Sequence, residues 1–582
     1  MKTNLFILLA LFFIFTGCED LLSPADENNP TLENIYEDAA YAEGLLLNAY
    51  VFLPSGSYSF NDVATDDAVS NDPNNNYLAM ATGGWSAMEN PTSRWVNSYA
   101  AINYLNIFLA ETDQVEWATT GEYVKEMFND RFKGEAYGLR ALFMYYLLEA
   151  HAGKDAGGNL LGVPILTEPL DGQSSYDIPR STFEQCITQV YEDLTKAESY
   201  LPLDFEDIQE GELPSKYQGK TSVSDYNRVF GAYNRQRLST RIVKGIRAKV
   251  ALLAASPAFN ETTSWENAAD VAGQVLDLIG GVAGIDPQGG TWYSKENGST
   301  TDNLVVGTNP QEILWRTNVS EESDLEPDNY PPSLYGSGRV NPTQNLVDAF
   351  PMANGLPIAD GASGYDENNP YVGRDPRLND YILYNGSVFG PGSSSILTSE
   401  DSGEDGIGAI AKSTRTGYYL RKLLREDVNL DAANKANKKH YVSRMRYTEL
   451  FLAYAEAANE AWGPDGSGSH GYSARDVIAA IRQRAGISQP DNYLASISSL
   501  ADMRKLIRNE RRLELCFEGN RFWDLRRWNE SLSETARGMR ISSNGAYQVV
   551  NIEKRQYQDY MNYGPLPYQE VIKWNMTQNV GW

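Results

Sequence analysis

Apolar residues recur at three- and four-residue spacing in segment after segment of this 582-residue chain, and the segments come in neighbouring pairs. That spacing is the buried stripe of an amphipathic helix. Trp95, Tyr99, Ile102, Leu105 and Leu109 form one stripe. Ala136, Leu139, Ala141, Leu142, Tyr145, Tyr146 and Leu148 are apolar nearly all round, which predicts a deeply buried helix. Thr182 opens a third, with Phe183, Ile187, Val190, Tyr191 and Leu194 on one face. Ile246, Val250, Leu253 and Ala254 follow, and after the breaker-rich turn 256–260 comes a partner carrying Trp265, Ala268, Ala269, Ala272 and Leu276. Three more lie near the C-terminus: Tyr447 to Ala461, Ala474 to Arg484 and Met503 to Phe517.

Paired helices with alanines at the crossing are similar to tetratricopeptide-like stacks, in which small side chains let neighbours approach. A steady repeat of about 34 residues does not run through the chain. Strand signals are sparse; 312–315 and 548–550 are short runs suited to a small ribbon. The fold class is therefore mainly α. No clean Pro/Ser linker divides residues 31–582, which read as one body with long loop insertions.

The N-terminus carries a separate signal. Lys2 precedes an apolar run from Leu5 to Phe15 that ends in Thr16-Gly17-Cys18. A run this short does not span a bilayer, which takes about twenty helical residues, so residues 1–17 read as a secretory signal peptide. The cysteine resembles that of a bacterial lipobox, which makes Cys18 the expected lipidation site and 18–30 a polar tether. Glu19-Asp20 resembles the acidic surface-export signal of Bacteroidetes lipoproteins. The expected location is the outer membrane, lipid-anchored, on its extracellular face.

Charge and composition exclude several classes. With 49 basic and 77 acidic residues the net charge is −28, which leaves no electrostatic footprint for nucleic acid. Cys186 and Cys516 sit in helix-like apolar surroundings and read as buried free thiols. His151, His440 and His470 lie in unrelated contexts without metal-ligand spacing. The segment Asp401-Ser402-Gly403-Glu404-Asp405 lacks the alternation of an EF-hand and reads as a solvated loop, so calcium has no support and no cofactor is expected. Glu510, Glu514 and Glu518 share one helix face among arginines, an arrangement suited to a structural ion network rather than two carboxylates opposed across a cleft. Asp375 reads as a helix cap. No nucleophile elbow, zincin helix or phosphate loop is present, and the chain does not read as an enzyme.

A set of motifs, in order along the chain, resembles the SusD/RagB family of outer-membrane nutrient-binding lipoproteins of Bacteroidetes. They include Gly134-Glu135-Ala136 with Leu139-Arg140-Ala141, Gly162-Val163-Pro164, Arg180-Ser181-Thr182-Phe183 leading to Asp193-Leu194, the segment from Asn341 to Phe350, and Arg374-Asp375-Pro376-Arg377. Most specific are Arg446 to Ala458, Ile481 to Gly486, Glu510 to Leu525, and the ending Gln578-Asn579-Val580-Gly581-Trp582, where Val580 replaces the family's proline. The resemblance implies a helical scaffold of four tetratricopeptide-like pairs, a ligand face built from inserted loops, and a SusC-like TonB-dependent transporter as partner.

A pyranose ring has an apolar face that stacks on aromatic side chains, while its hydroxyls need carboxylates, amides or guanidinium groups. Aromatics outside helical stripes are therefore the expected glycan-binding residues. Trp85 lies in a loop of small and polar residues, with Asp67 and Tyr77 just upstream. Trp292-Tyr293 follow Gly289-Gly290, and Tyr330 and Tyr335 flank Pro331-Pro332 beside Arg339. Trp95, Trp265, Trp523 and Trp528 fall in helical motifs and are expected in the core. The expected function is capture of an oligosaccharide at the cell surface and delivery to the transporter; the alternatives are binding of a peptide or glycoprotein fragment of the RagB type, or a mainly structural transporter lid.

Overall fold

The computed structural model describes residues 38–582 together with Tyr36, apart from 55–56, 171–173, 176 and 261–262. The leader, Cys18 and the tether 18–30 lie outside the described residues.

Among the described residues, nine helices of more than ten residues form the scaffold: α1 (Ala39–Val51), α2 (Trp95–Glu111), α3 (Glu122–His151), α4 (Phe183–Tyr200), α5 (Thr240–Ala255), α6 (Trp265–Asp277), α7 (Tyr447–Trp462), α8 (Ala474–Arg484) and α9 (Leu500–Leu515). Each packs on the next from α1 to α8, and α9 packs on α7. Sequential pairing of this kind is what the paired stripes predicted. The helix starts are written in the sequence. Thr182 and Ser473 make reciprocal capping boxes with Gln185 and Asp476, and Ser239, Ser264 and Ser499 cap α5, α6 and α9.

Helix α3 runs 30 residues and is buried around most of its second half. Gly138 permits this: a Cβ there would stand 2.2 Å from Leu238 Cδ2, so the link into α5 could not approach any larger residue. Arg140 of α3 reaches across to Asp193 of α4, donating from Nε and Nη2 at 2.8 and 2.7 Å, and so joins two halves of the scaffold through a buried fork.

Residues 278–446, inserted between α6 and α7, build a second core around Tyr330, Leu346, Phe350, Tyr381, Tyr418 and Tyr419. It closes on Leu513, Cys516 and Phe517 at the end of α9. Glu510 and Glu514 of α9 take part in the expected ion network, while Glu518 lies in the turn beyond the helix end at Leu515, not on the same helix face, and joins the network from there. Arg377 reaches Glu510 and Glu514 at 2.8 and 3.0 Å, Arg484 reaches Glu514 at 2.8 Å, and Arg446 and Lys422 each reach Glu518 at 2.7 Å. Burial opposes charge on Glu514, but Arg484, Arg377, Arg446 and Lys422 overcome it and hold this carboxyl down at about 2. Asp375 caps the short helix Pro376–Tyr381. Cys186 and Cys516 are buried free thiols, and burial pushes them up to about 11 and about 12.

The two short runs read as a ribbon are strands, but they belong to different ribbons. Ile313–Arg316 pairs antiparallel with Ser443–Arg446, and Tyr547–Glu553 with Ala536–Ile541. Both partner strands are rich in arginine, which hides them from a search for apolar runs.

A third, smaller core gathers Met80, Trp85, Phe522, Leu525 and Tyr557, with Trp582 against it. The chain end is clamped there. Gln578 exchanges two hydrogen bonds with the Leu566 backbone, and Asn579 accepts from Arg180 at 2.9 Å while donating to the His151 and Gly564 carbonyls. Among the described residues no helix is long and apolar enough to cross a membrane.

Candidate functional site

Four of the seven expected binding residues are interior, which corrects the reading of them as an open platform. Trp85 is 4% exposed and meets the rings of Phe522, Tyr557 and Trp582, its Nε1 donating to Asn90 Oδ1 at 3.0 Å. The helical turns just before it, Asn76–Ala79 and Met80–Gly84, add Met80 and Ala81 to that core, and the C-terminal segments supply its other rings. Trp292 is buried and stacks on Tyr441 with ring centroids 5.3 Å apart. Tyr330 is buried too, its hydroxyl donating to the Arg425 and Val428 carbonyls. Asp67, beside Asp66, accepts from Arg512 Nε at 2.7 Å in a buried ion cluster that Arg521 completes. This pairing ties the 66–67 segment to Arg512 and Arg521.

Two more are partly buried. Tyr293 sits edge-on to Trp292, and Tyr77 packs between the second and third cores. Of the tryptophans expected in the core, Trp95 and Trp528 are buried, whereas Trp265 and Trp523 are half-buried, Trp523 beside a cavity of about 220 Å³. That cavity lies against the scaffold; Lys249 pairs with Glu449 at 2.8 Å and Tyr145 donates to Glu149 at 2.7 Å in its wall, while Arg94 and Arg444 line it without a carboxylate partner among the described residues.

Tyr335 is different: it is 64% exposed. It ends the turn Pro332–Leu334 in a left-handed backbone conformation, φ 67°, unusual for a residue with a side chain. The loop around it is rigidly made. Tyr335 N donates to Pro332 O, Gly338 N to Tyr330 O and Arg339 N to Asp328 O, while the buried Tyr330 ring anchors the loop from below. Ser333 N donates to Asp405 Oδ1 at 2.9 Å. The expected solvated loop 401–405 is therefore corrected at Asp405, a buried carboxylate that burial pushes up and that pins the Tyr335 loop.

Asn71 ties the neighbouring strand to the same place, its Nδ2 donating to Ser337 O at 3.0 Å and Lys412 O at 2.9 Å. Arg339 stands 4.0 Å from Asp72, and both keep about a third of their side chains exposed (37% and 33%). The result is one exposed aromatic ring on a backbone-pinned loop, whose Arg339 pairs with Asp72 at the surface. Such a group of side chains stacks on an apolar ring face and bonds the hydroxyls around it. The sequence singled out Tyr335 and Arg339 but not Lys412, whose loop reaches the site only through the fold.

A helical scaffold bearing a loop-built face defines the class of protein, and comparison with known families defines which one. A family model described as the SusD family matches residues 291–582, and one described as "Starch-binding associating with outer membrane" matches residues 31–219. The chain belongs to the SusD family. Its fold is similar to that of a SusD-like protein from Bacteroides fragilis, at 23% identity over 96% of this chain and 100% of that one, with a TM-score of 0.71. A SusD-like carbohydrate-binding protein from the same organism matches at 21% identity over 93% and 99%, TM-score 0.68. A laminarin-binding SusD-like protein matches at 20% identity over 94% and 100%, TM-score 0.57. No curated protein sequence matches the chain closely enough to count as a relative.

Proposed function

We propose that this protein captures oligosaccharides at the cell surface and hands them to a SusC-like TonB-dependent transporter, binding them without chemical change. The observation that carries the saccharide reading is the exposed Tyr335 ring on a pinned loop whose Arg339 pairs with Asp72 at the surface. The family description, starch-binding and outer-membrane associated, supports the ligand class and the location, and two of the similar folds belong to proteins titled carbohydrate-binding and laminarin-binding. Acyl chains on Cys18, at about 0.8 kcal/mol per buried methylene, supply the anchor. A single stacked ring contributes only about 1 kcal/mol, which suits capture followed by release.

The test is affinity electrophoresis of protein starting at Glu19 through gels containing a panel of polysaccharides, wild type beside Tyr335→Ala. Retardation by one polysaccharide class, weakened in the variant, is the expected result. Free migration in every gel, or equal retardation of both proteins, contradicts the reading.

A further inference from the structure

A second group of tyrosines stands on the insertion, away from Tyr335. Tyr371 and Tyr384 stack with ring centroids 4.3 Å apart and planes 20° apart, and Tyr547 meets Tyr371 edge-on at 5.9 Å. These rings come from two loops and the tip of the Ala536–Ile541/Tyr547–Glu553 hairpin, and each is partly open to solvent. Tyr365, also partly open, lies under the Arg374 guanidinium at 5.4 Å.

The floor beneath them is polar and ordered. The Tyr371 hydroxyl is 3.2 Å from that of buried Tyr418, which donates to Gln344 Oε1; Gln344 Nε2 donates in turn to Asp348 Oδ1 at 2.6 Å. Asp348 pairs with Arg537 at 3.2 Å, and the two keep 28% and 35% of their side chains exposed. The hydroxyls of Tyr365, Tyr384 and Tyr547, unlike that of Tyr371, have no hydrogen-bond partner among the described residues.

The backbone at 418–419 separates this group from the Tyr335 loop. Tyr418 sends its hydroxyl to Tyr371 and Gln344, while its neighbour Tyr419 sends its own to the carbonyl of Asp405, the residue that pins Ser333. The two hydroxyls thus run to different partners, Tyr418 to the Tyr371 group and Tyr419 to the Asp405 carbonyl behind the Tyr335 loop.

We propose that Tyr371, Tyr384 and Tyr547, with Tyr365 and the Asp348–Arg537 pair at their edge, form a second saccharide site. Stacked phenol rings with free hydroxyls and an exposed ion pair repeat the chemistry of the Tyr335 loop with more aromatic surface. A polymer long enough to engage both groups gains avidity without any new contact. The inference rests on the saccharide reading.

The experiment uses the polysaccharide that retards the wild type most. Tyr384→Ala/Tyr547→Ala is expected to weaken retardation about tenfold in protein that keeps Tyr335. Nitration of wild-type tyrosines is expected to be slowed at Tyr384 and Tyr547 by that polysaccharide, which keeps the test valid where the double variant does not fold. Unchanged retardation of a folded double variant, or nitration unaffected by the polysaccharide, overturns the second site while leaving the saccharide reading intact. No retardation of the wild type by any glycan removes both.

Discussion

Trp85 meets Trp582 edge to face with ring centroids 4.8 Å apart, so an early loop of the body closes on the last residue of the chain. Trp582 Nε1 also donates to Tyr563 O at 2.8 Å. This contact, rather than a ligand, occupies the ring that the sequence offered most openly.

Trp85→Ala is therefore a stability variant. Deleting a buried tryptophan costs about 3–5 kcal/mol, and Trp582→Ala, removing a partly exposed ring, costs about 2 kcal/mol. Denaturant midpoints measure both losses. Folded Trp85→Ala protein retains wild-type saccharide binding.

Breaking the fork between α3 and α4 tests the scaffold. Asp193→Ala leaves the Arg140 guanidinium buried with Asn106 Oδ1 as its nearest remaining side-chain acceptor, at 2.8 Å. Removing one partner of a buried pair costs about 3–5 kcal/mol. The measurement is the thermal midpoint of Asp193→Ala, expected well below wild type.

Acid weakens the tie between insertion and scaffold. The Glu514 carboxyl lies at about 2 in the folded protein against an ordinary 4.5, so its contribution is complete above the ordinary value and is lost as pH falls towards 2. A shift of this size corresponds to about 3 kcal/mol. Stability measured from about pH 5.5 down to about pH 2, a range that spans both values, declines less steeply in Glu514→Gln than in wild type. The same variant starts from lower stability at neutral pH, because Arg377 and Arg484 lose a charged partner.

At Tyr335 the backbone and the ring make separable contributions. A side chain in the left-handed conformation costs about 1–2 kcal/mol, so Tyr335→Gly is more stable than Tyr335→Ala by about 1 kcal/mol. Both lose saccharide affinity alike, since both lack the ring. Calorimetric titration beside denaturant unfolding separates the two effects.

The scaffold was legible because its signals are local. Stripe spacing gave the long helices, Thr182 gave a cap, and the spacing of Glu510 and Glu514 gave the ion network, which Glu518 joins from the turn after the helix. What escaped depends on contacts made between distant segments. Nothing in the small, polar loop around Trp85 tells that Phe522, Tyr557 and Trp582 will enclose it. Tyr330 and Tyr335 look equivalent on either side of Pro331-Pro332, yet one turns inward to the Arg425 carbonyl and the other outward. Asp405 looks like any acidic loop residue until Ser333 is brought to it. Tyr371, Tyr384 and Tyr547 are unremarkable singly and form a group only when the hairpin folds onto the insertion.

The most direct measurement is a crystal structure of the protein with an oligosaccharide cut from the polysaccharide that retards it. A pyranose ring lying against Tyr335, with hydroxyls bonded to Asp72 or Arg339, is the predicted result. Sugar bound elsewhere while Tyr335 stays bare, or Trp85 swung out of its core to stack on the ligand, would contradict it.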